Sequence, residues 1–170
     1  MLNLIQLTSD KDDYSFFEWL DTQELLFMWT GDIFSWPIRP ADLMTYVNRI
    51  RKKELVSLNF YNSSGVLVGH CDIDNISERH KRGEMTRVVI LPQFRNSGIG
   101  QQMVSEVVKF TFEKLNLHRL ELKVFDFNKN AIRCYEKVGF NIEGLLKDFL
   151  YDRGKFWNLY VMSMINNVTT

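Results

Sequence analysis

Two glycines alternate in the segment RNSGIG, residues 95–100, which separates an apolar run, RVVILPQF, from a helix-like run, QQMVSEVVKFTFEKL. A helix that begins directly after a strand leaves its first N–H groups without intrahelical partners, and these groups together with the helix dipole favour an anion. Glycine lets the backbone approach a phosphate closely. The segment therefore indicates a phosphate-binding turn, although a plain tight turn between strand and helix would use the same residues.

Two common phosphate-binding motifs do not fit this segment. It lacks the G-x-x-x-x-G-K-[ST] pattern, and no third glycine follows Gly100 to complete G-x-G-x-x-G. Any phosphate bound here must belong to another class of ligand.

A second motif lies downstream, in FNKNAIRCYEKVGF. It fits N-x-x-A-x-x-x-Y-x-x-x-G-F through Asn128, Ala131, Tyr135, Gly139 and Phe140, and RNSGIG fits R/Q-x-x-G-x-G/A. In this order and at this distance, the two motifs resemble those of the GNAT superfamily of acyl-CoA-dependent N-acetyltransferases. The final segment, GLLKDFLYDRGKFWNLYVMSMI, resembles the branch that contains ribosomal-protein alanine and spermidine acetyltransferases. The resemblance covers roughly residues 2–165.

The resemblance implies a site for acetyl-CoA, used as a cosubstrate. Backbone amides of the glycine segment would hold the CoA pyrophosphate, the strand before it would pair with the pantetheine arm, and the Val88 amide would face the thioester oxygen. Asn128 would bond the cofactor near its thiol end. The implied cofactor-binding residues are Val88, Ile90, Arg95, Asn96, Ser97, Gly98, Ile99, Gly100, Gln101 and Asn128.

Tyr135 is the candidate catalytic acid. It lies four residues after Ala131, on the same helix face. A phenol with a pKa near 10 can protonate a departing thiolate. The other interpretation is an amphipathic residue of the core.

Glu84 is the candidate catalytic base. It lies eleven residues before Arg95, the spacing at which histone-acetylating relatives carry their general-base glutamate. An acceptor ammonium must lose a proton before it can attack, and a nearby carboxylate can take that proton directly or through water. Alternatively, Glu84 is a solvated glutamate at the end of a strand, and a water chain serves as the base. Asp72 and Asp74 alternate to one face of the preceding strand and could add an acidic contact or cap the strand end.

No metal site is predicted. His70, His80 and His118 are isolated, and Cys71 and Cys134 lack ligand spacing. Cys134 has no neighbouring base, so we interpret it as a core or near-surface thiol.

The elements that must position these residues follow from hydrophobic periodicity. LNLIQL, ELVSLNFY, GVLVGHCDID, GEMTRVVILP and HRLELKVFDF indicate strands, and two more form a hairpin around DRGK. Helices are predicted in DDYSFFEWLDTQELLFMWT, with Ser9, Asp10 or Asp12 as caps, and in ADLMTYVNRIRKK, QQMVSEVVKFTFEKL and NKNAIRCYEKVGF. This order predicts an α+β, three-layer fold. By resemblance it is a GNAT-like, mostly antiparallel twisted sheet of six or seven strands with about four helices, whose splayed central parallel strands hold acetyl-CoA.

Composition sets wider limits. The 170 residues predict one N-acetyltransferase domain over residues 1–170, and the 45% hydrophobic content predicts a packed core. Twenty-one basic and 21 acidic residues balance, so neither nucleic acid nor an anionic membrane is an expected partner. The N-terminal segment does not resemble a signal peptide and no run suits a membrane helix, so we expect a cytoplasmic location.

The acceptor is the least defined part of the prediction. By resemblance it lies near ELLFMWTGDIFSWPIRP, whose Phe27, Trp29, Phe34 and Trp36 would form an aromatic wall or seal the edge of the core. Polyamine-binding relatives carry several acidic residues there, whereas this loop has only Asp32. The sequence thus predicts acetyl transfer to a primary amine of a small molecule or a protein N-terminus. A non-catalytic acyl-CoA-binding domain and a homodimer acting through exposed aromatic residues are the alternatives.

Overall fold

A mixed seven-stranded sheet forms the centre of the computed structural model, which describes residues 2–31 and 33–167. The strands are β1 (Asn3–Gln6), β2 (Val56–Tyr61), β3 (Leu67–Ser77), β4 (Arg82–Ile90), β5 (Arg119–Phe125), β6 (Asn141–Asp152) and β7 (Lys155–Ile165). They lie in the order β1-β2-β3-β4-β5-β7-β6, and each neighbouring pair is antiparallel except β4 and β5. The predicted fold class and strand number are confirmed.

Four α-helices occur in the described residues, together with two short 3-10 helices. They are α1 (Gln23–Thr30), α2 (Pro40–Arg51), α3 (Ile99–Glu113) and α4 (Lys129–Val138), and the 3-10 helices are Ser15–Trp19 and Pro92–Phe94. The single helix predicted over residues 12–30 is wrong, because a 3-10 helix and α1 replace it. Its expected caps are wrong too: Asp12 accepts hydrogen bonds from the amides of Thr8 and Ser9 in a turn, and Thr22 caps α1.

The core lies on both faces of the sheet. On one face, α3 and α4 cover a cluster that includes Met103, Val107 and Ile132. On the other, the Ser15–Trp19 helix, α1 and α2 cover an aromatic cluster that includes Phe16 and Tyr46. The sheet is therefore the middle of three layers, and we call its two faces the α3/α4 side and the α1/α2 side.

The two parallel strands separate soon after they meet. β4 pairs with β5 only through residues 82–84, opposite residues 119–121, whereas β5 stays paired with β7 as far as Phe125. The rest of β4, residues 85–90, pairs with no strand of the described residues on its β5 side. This confirms the predicted splay between the central strands.

Candidate active site

A cleft of about 690 Å³ lies beside the end of β4, in the part of that strand that no longer pairs with β5. Its walls come from the end of β4, the loop that follows it, the start of α3, one face of α4, and α1 with the residue Leu20. The volume is within the range of about 300–1,000 Å³ that is usual for small-molecule sites. Most of the residues that the sequence predicted to bind the cofactor line it: Val88, Ile90, Arg95, Asn96, Gly98, Gly100, Gln101 and Asn128. The other two predicted residues, Ser97 and Ile99, lie between these residues in the chain and are not among those that line the cleft.

The loop before α3 takes left-handed backbone conformations at two positions. Asn96 has φ 59° and Gly98, the residue that caps α3, has φ 85°. No side chain caps this helix end, so its first amides have no side-chain acceptor. Such a row of free N–H groups at a helix N-terminus favours an anion.

Arg95 and Ser97 tie this loop to the backbone before it. The Arg95 Nε donates to the Ile90 carbonyl at 3.1 Å, and the Ser97 hydroxyl donates to the Phe94 carbonyl at 2.5 Å. The Ile90 carbonyl, expected from the resemblance to be free for the pantetheine arm, thus already accepts a hydrogen bond. The loop is held against the end of β4.

Helix α4 lies beside the start of α3. A Cβ placed on Gly100 would stand 3.7 Å from the Cys134 Sγ, an ordinary contact distance. Asn128 caps α4, its Oδ1 accepting a hydrogen bond from the Ala131 amide at 3.2 Å. The Asn128 side-chain NH₂ has no hydrogen bond to a described residue and can serve a ligand.

Tyr135 lines the same cleft and is 7% exposed. Burial raises the pKa of its phenol well above the usual 10, so the group is protonated at neutral pH. Its hydroxyl makes no hydrogen bond to any described residue. Its phenol keeps its proton at neutral pH and lines the cleft, where a ligand could accept that proton.

Glu84 lies apart from the cleft. It lines a separate recess with Asn75, Arg82 and Glu121, and its carboxylate accepts hydrogen bonds from Lys123 at 2.6 Å and from Asn75 at 2.8 Å. The structure brings Glu84 next to Lys123 and does not bring it next to Tyr135. This position does not support the role of base that the spacing predicted, because both carboxylate oxygens already accept hydrogen bonds.

Asp72 and Asp74 hold a buried arginine. The Arg87 guanidinium donates to Asp72 through Nε and to Asp74 through Nη2, and Arg49 of α2 also donates to Asp74. Burial alone would raise the pKa of Asp72, but His70 and Arg87 outweigh it and lower that pKa to about 2. Neither aspartate caps a strand end or lines the cleft.

The comparisons with known proteins agree with this geometry. A sequence model of the acetyltransferase (GNAT) family matches residues 10–140. The chain belongs to the GNAT acetyltransferase family.

Two bacterial relatives in this family are each 30% identical to part of the chain. The uncharacterized N-acetyltransferase YoaA of Bacillus subtilis matches over 99 residues, 58% of this chain and 55% of that protein. The L-amino acid N-acetyltransferase AaaT of Escherichia coli matches over 103 residues, 59% of this chain and 63% of that protein. The matches therefore span little more than half the length of these curated relatives.

A solved GNAT structure shares the fold over nearly the whole chain. The crystal structure of spermidine N-acetyltransferase from Vibrio cholerae in complex with CoA and spermine has a TM-score of 0.82 and 20% sequence identity, and 95% of each chain is covered. At this identity the likeness establishes the fold alone.

Two charged cleft residues of this GNAT chain were not predicted from the sequence. Arg133 and Lys137 stand one turn apart on α4 and line the cleft, and neither makes an ion pair within the described residues. Their i, i+4 spacing beside Tyr135 was the available signal. The described lining contains three charged residues, Arg95, Arg133 and Lys137, and all three are positive.

The predicted aromatic wall divides between core and surface. Trp29 and Phe34 are 8% exposed and belong to the aromatic cluster on the α1/α2 side, although Trp29 also lines the cleft, and Trp36 is 43% exposed. Phe27 packs instead against Phe125 and Trp157. Asp32 lies outside the described residues. Only Trp29 of the predicted wall reaches the cleft.

Three further observations concern the buried histidine and cysteine residues, metal binding and membrane-spanning helices. His70 and Cys71 are fully buried in the sheet, and Cys134 is half-buried beside Gly100. In residues 2–31 and 33–167, no three histidine, cysteine or acidic side chains cluster so as to hold a metal ion. No helix in the same residues has the length and apolar character needed to cross a membrane.

Proposed function

We propose that this chain is an acetyl-CoA-dependent N-acetyltransferase, a single domain over residues 1–170 that transfers an acetyl group to a primary amine by direct attack in a ternary complex. One observation carries the proposal. The cleft beside the end of β4 is lined both by the start of α3, which no side chain caps, and by the buried Tyr135. An anion site and a proton donor thus lie in one cleft. This arrangement suits a long thioester that carries phosphate groups at its other end. A cytoplasmic location stays a prediction.

The donor side follows from the free groups of the cleft. The amides of residues 96–101 would hold the CoA pyrophosphate, and Arg95, Arg133 and Lys137 add positive charge along the same cleft. The Asn128 NH₂ would donate to the pantetheine arm, which would lie along the unpaired edge of β4 near Val88 and Ile90.

The chain's groups have two tasks during transfer. Bound acetyl-CoA supplies an activated acyl carbon. As the amine nitrogen forms a bond to that carbon and the carbon–sulfur bond breaks, the Val88 N–H would stabilise the negative charge that grows on the thioester oxygen. Tyr135 would give its proton to the departing thiolate, and the proton that the acylated nitrogen loses would pass through water and restore the phenol.

The amine's proton would leave through water. Glu84 lies outside the cleft, and no aspartate or glutamate lines the cleft in the described residues. An acceptor that is partly deprotonated at neutral pH needs no dedicated base. The α-amine of a peptide or protein N-terminus, with a pKa near 8, meets this condition better than a polyamine, whose pKa is near 10.

The acceptor side of the cleft is apolar. Leu20, Leu25, Met28 and Trp29 line it, and the described lining has no negative charge to attract a polycation. The relative AaaT carries the name of an L-amino acid N-acetyltransferase, in agreement with this preference. We therefore propose an α-amine of a small molecule or protein N-terminus, flanked by an apolar group.

A non-catalytic acyl-CoA-binding domain is the competing function. A sensor would have no need of a phenol in the cleft, so Tyr135 favours catalysis. Two measurements separate the proposals: calorimetric titration with acetyl-CoA, and thiol release from acetyl-CoA in the presence of a panel of amines. Absence of saturable binding up to millimolar acetyl-CoA would refute both functions, and binding without turnover on any amine would favour the sensor.

The acid role has its own test. Tyr135→Phe should lower kcat about 100-fold or more while the Kd for acetyl-CoA stays within threefold, because the hydroxyl has no other partner to lose. Tyr160→Phe is the matched control, since Tyr160 lies on β7 outside the cleft. Full turnover in Tyr135→Phe would remove Tyr135 from the mechanism.

A homodimer remains part of the proposal. β6 is an edge strand, and large apolar side chains of the β6–β7 hairpin are exposed. They are Ile142, Leu145, Phe149, Tyr151, Phe156 and Ile165. An unpaired strand edge with apolar side chains favours pairing with another chain, and sedimentation velocity measures whether that chain is a second copy.

A further inference from the structure

The peptide group between Arg87 and Val88 is held from the α1/α2 side by a tryptophan 58 residues away in sequence. The indole Nε1 of Trp29 donates to the Arg87 carbonyl at 2.6 Å, and this hydrogen bond is buried. The Trp29 ring is fixed in turn by Phe17 at 5.5 Å and Phe16 at 5.9 Å between ring centroids. Trp29 therefore presents its donor in one direction.

Arg87 itself has an unusual backbone. Its φ is 51°, in the left-handed region that non-glycine residues seldom adopt, and it lies in a β-bulge: His70 pairs with Val89 and Asp72 with Thr86, so two residues of β4 face one residue of β3. Such conformations persist only where the surroundings fix them, and they concentrate at functional sites. Here the fixing contacts are the two aspartates on the guanidinium and the indole on the carbonyl.

The carbonyl of Arg87 and the N–H of Val88 belong to one trans peptide, so they point in opposite directions. A carbonyl held toward α1 turns the Val88 N–H away from α1, to the side of the sheet that α3 and α4 cover. Tyr135 of α4 lines the cleft on that side. The direction of the Val88 donor thus depends on the indole.

We propose that Trp29 is a positioning residue for acetyl transfer: its indole N–H holds the Arg87–Val88 peptide so that the Val88 amide faces the thioester oxygen. This inference rests on the proposed function. It also gives α1 a second task. The helix that lines the acceptor side fixes the direction of the Val88 N–H, which polarises the thioester.

Isotope-edited infrared spectroscopy tests the proposal directly. Acetyl-CoA labelled with ¹³C at the thioester carbonyl should show a lower C=O stretching frequency when bound to the wild-type chain than in water, and Trp29→Phe should lose most of that decrease. The same variant should lower kcat about 10- to 100-fold, less than complete removal of an oxyanion donor costs, with KM for acetyl-CoA within threefold.

Two further variants sharpen the result. Trp19→Phe is the control, because Trp19 packs at the edge of the same aromatic cluster and makes no hydrogen bond to a described residue. Trp29→His keeps a ring N–H, should recover part of the frequency decrease, and serves in place of Trp29→Phe if that variant does not fold. Wild-type frequency and kcat in Trp29→Phe, or no recovery with histidine, would overturn the proposal.

These measurements separate the positioning role of Trp29 from the proposed acetyltransferase function. The infrared measurement needs only bound acetyl-CoA, so it tests Trp29 even if no amine in the panel is acetylated. If the wild-type chain binds and turns over acetyl-CoA while Trp29→Phe behaves identically, the proposed function stands and the role of Trp29 falls.

Discussion

Replacing Asp72 by asparagine should destabilise this protein strongly at neutral pH. Asp72 is 0% exposed and accepts hydrogen bonds from Arg87 and Tyr46. The substitution keeps the shape of the side chain and removes its charge, leaving the buried guanidinium with Asp74 alone. Breaking a buried pair in this way costs about 3–5 kcal/mol, a large part of the roughly 5–15 kcal/mol by which native domains are stable.

The cost should depend on pH with a definite sign. The folded-state pKa of Asp72 is about 2, below its ordinary value of 3.8. The carboxylate therefore contributes its stability fully above pH 3.8 and loses it as the pH falls through 2. At 1.36 kcal/mol per pKa unit, that contribution is roughly 2 kcal/mol. Because asparagine does not titrate, the difference between wild type and variant should shrink by about this amount from pH 7 to pH 2.

Urea unfolding followed by tryptophan fluorescence measures both quantities. The wild type and Asp72→Asn are compared at pH 7 and again at stepwise lower pH, with the exposed Asp21→Asn as the control. A loss under about 1 kcal/mol at pH 7 would mean that Arg87 does not depend on Asp72, contrary to the rule for broken buried pairs. A difference that stays constant as the pH falls would show that the Asp72 pKa is not depressed.

Three other experiments test the cleft and the position of Glu84 outside it. Gly98→Ala places a side chain on a residue with φ 85°, so it should lower the free energy of unfolding by about 1–2 kcal/mol and weaken acetyl-CoA binding. Gly65→Ala is the control: at φ 75° in a distant turn it should lower the free energy of unfolding by the same amount and leave the Kd for acetyl-CoA unchanged. For Glu84→Gln we expect an unchanged pH profile of kcat. The loss of stability should be about 1.5–3 kcal/mol, because the buried carboxylate loses its charge-assisted hydrogen bond from Lys123. A fall in kcat relieved at high pH would reinstate Glu84 as the base. Combined Arg133→Gln and Lys137→Gln should raise the Kd for acetyl-CoA more at low than at high ionic strength, and equal effects at both would argue against a phosphate contact.

Local signals predicted much of this fold from the sequence. The helix-like runs QQMVSEVVKFTFEKL and NKNAIRCYEKVGF predicted α3 and α4, and α4 ends at Gly139 with a left-handed φ of 116°. Strand alternation gave the sheet. These features depend on neighbours within a few residues, so their spacing in the chain carries the information. The same locality explains the miss at residues 12–30, where Asp12 forms a turn that competes with the helix.

The sequence by itself thus determined most of the elements, the glycine turn and the order of the motifs, while the tertiary structure decided what each charged or aromatic side chain does. Glu84 was placed on the correct strand, yet its partner Lys123 lies 39 residues away, on a different strand. Trp29 meets Arg87 across 58 residues, and Arg87 meets Asp72 across a bulge. A one-residue bulge changes which face a side chain occupies, so only the paired strands fix which groups meet in the cleft.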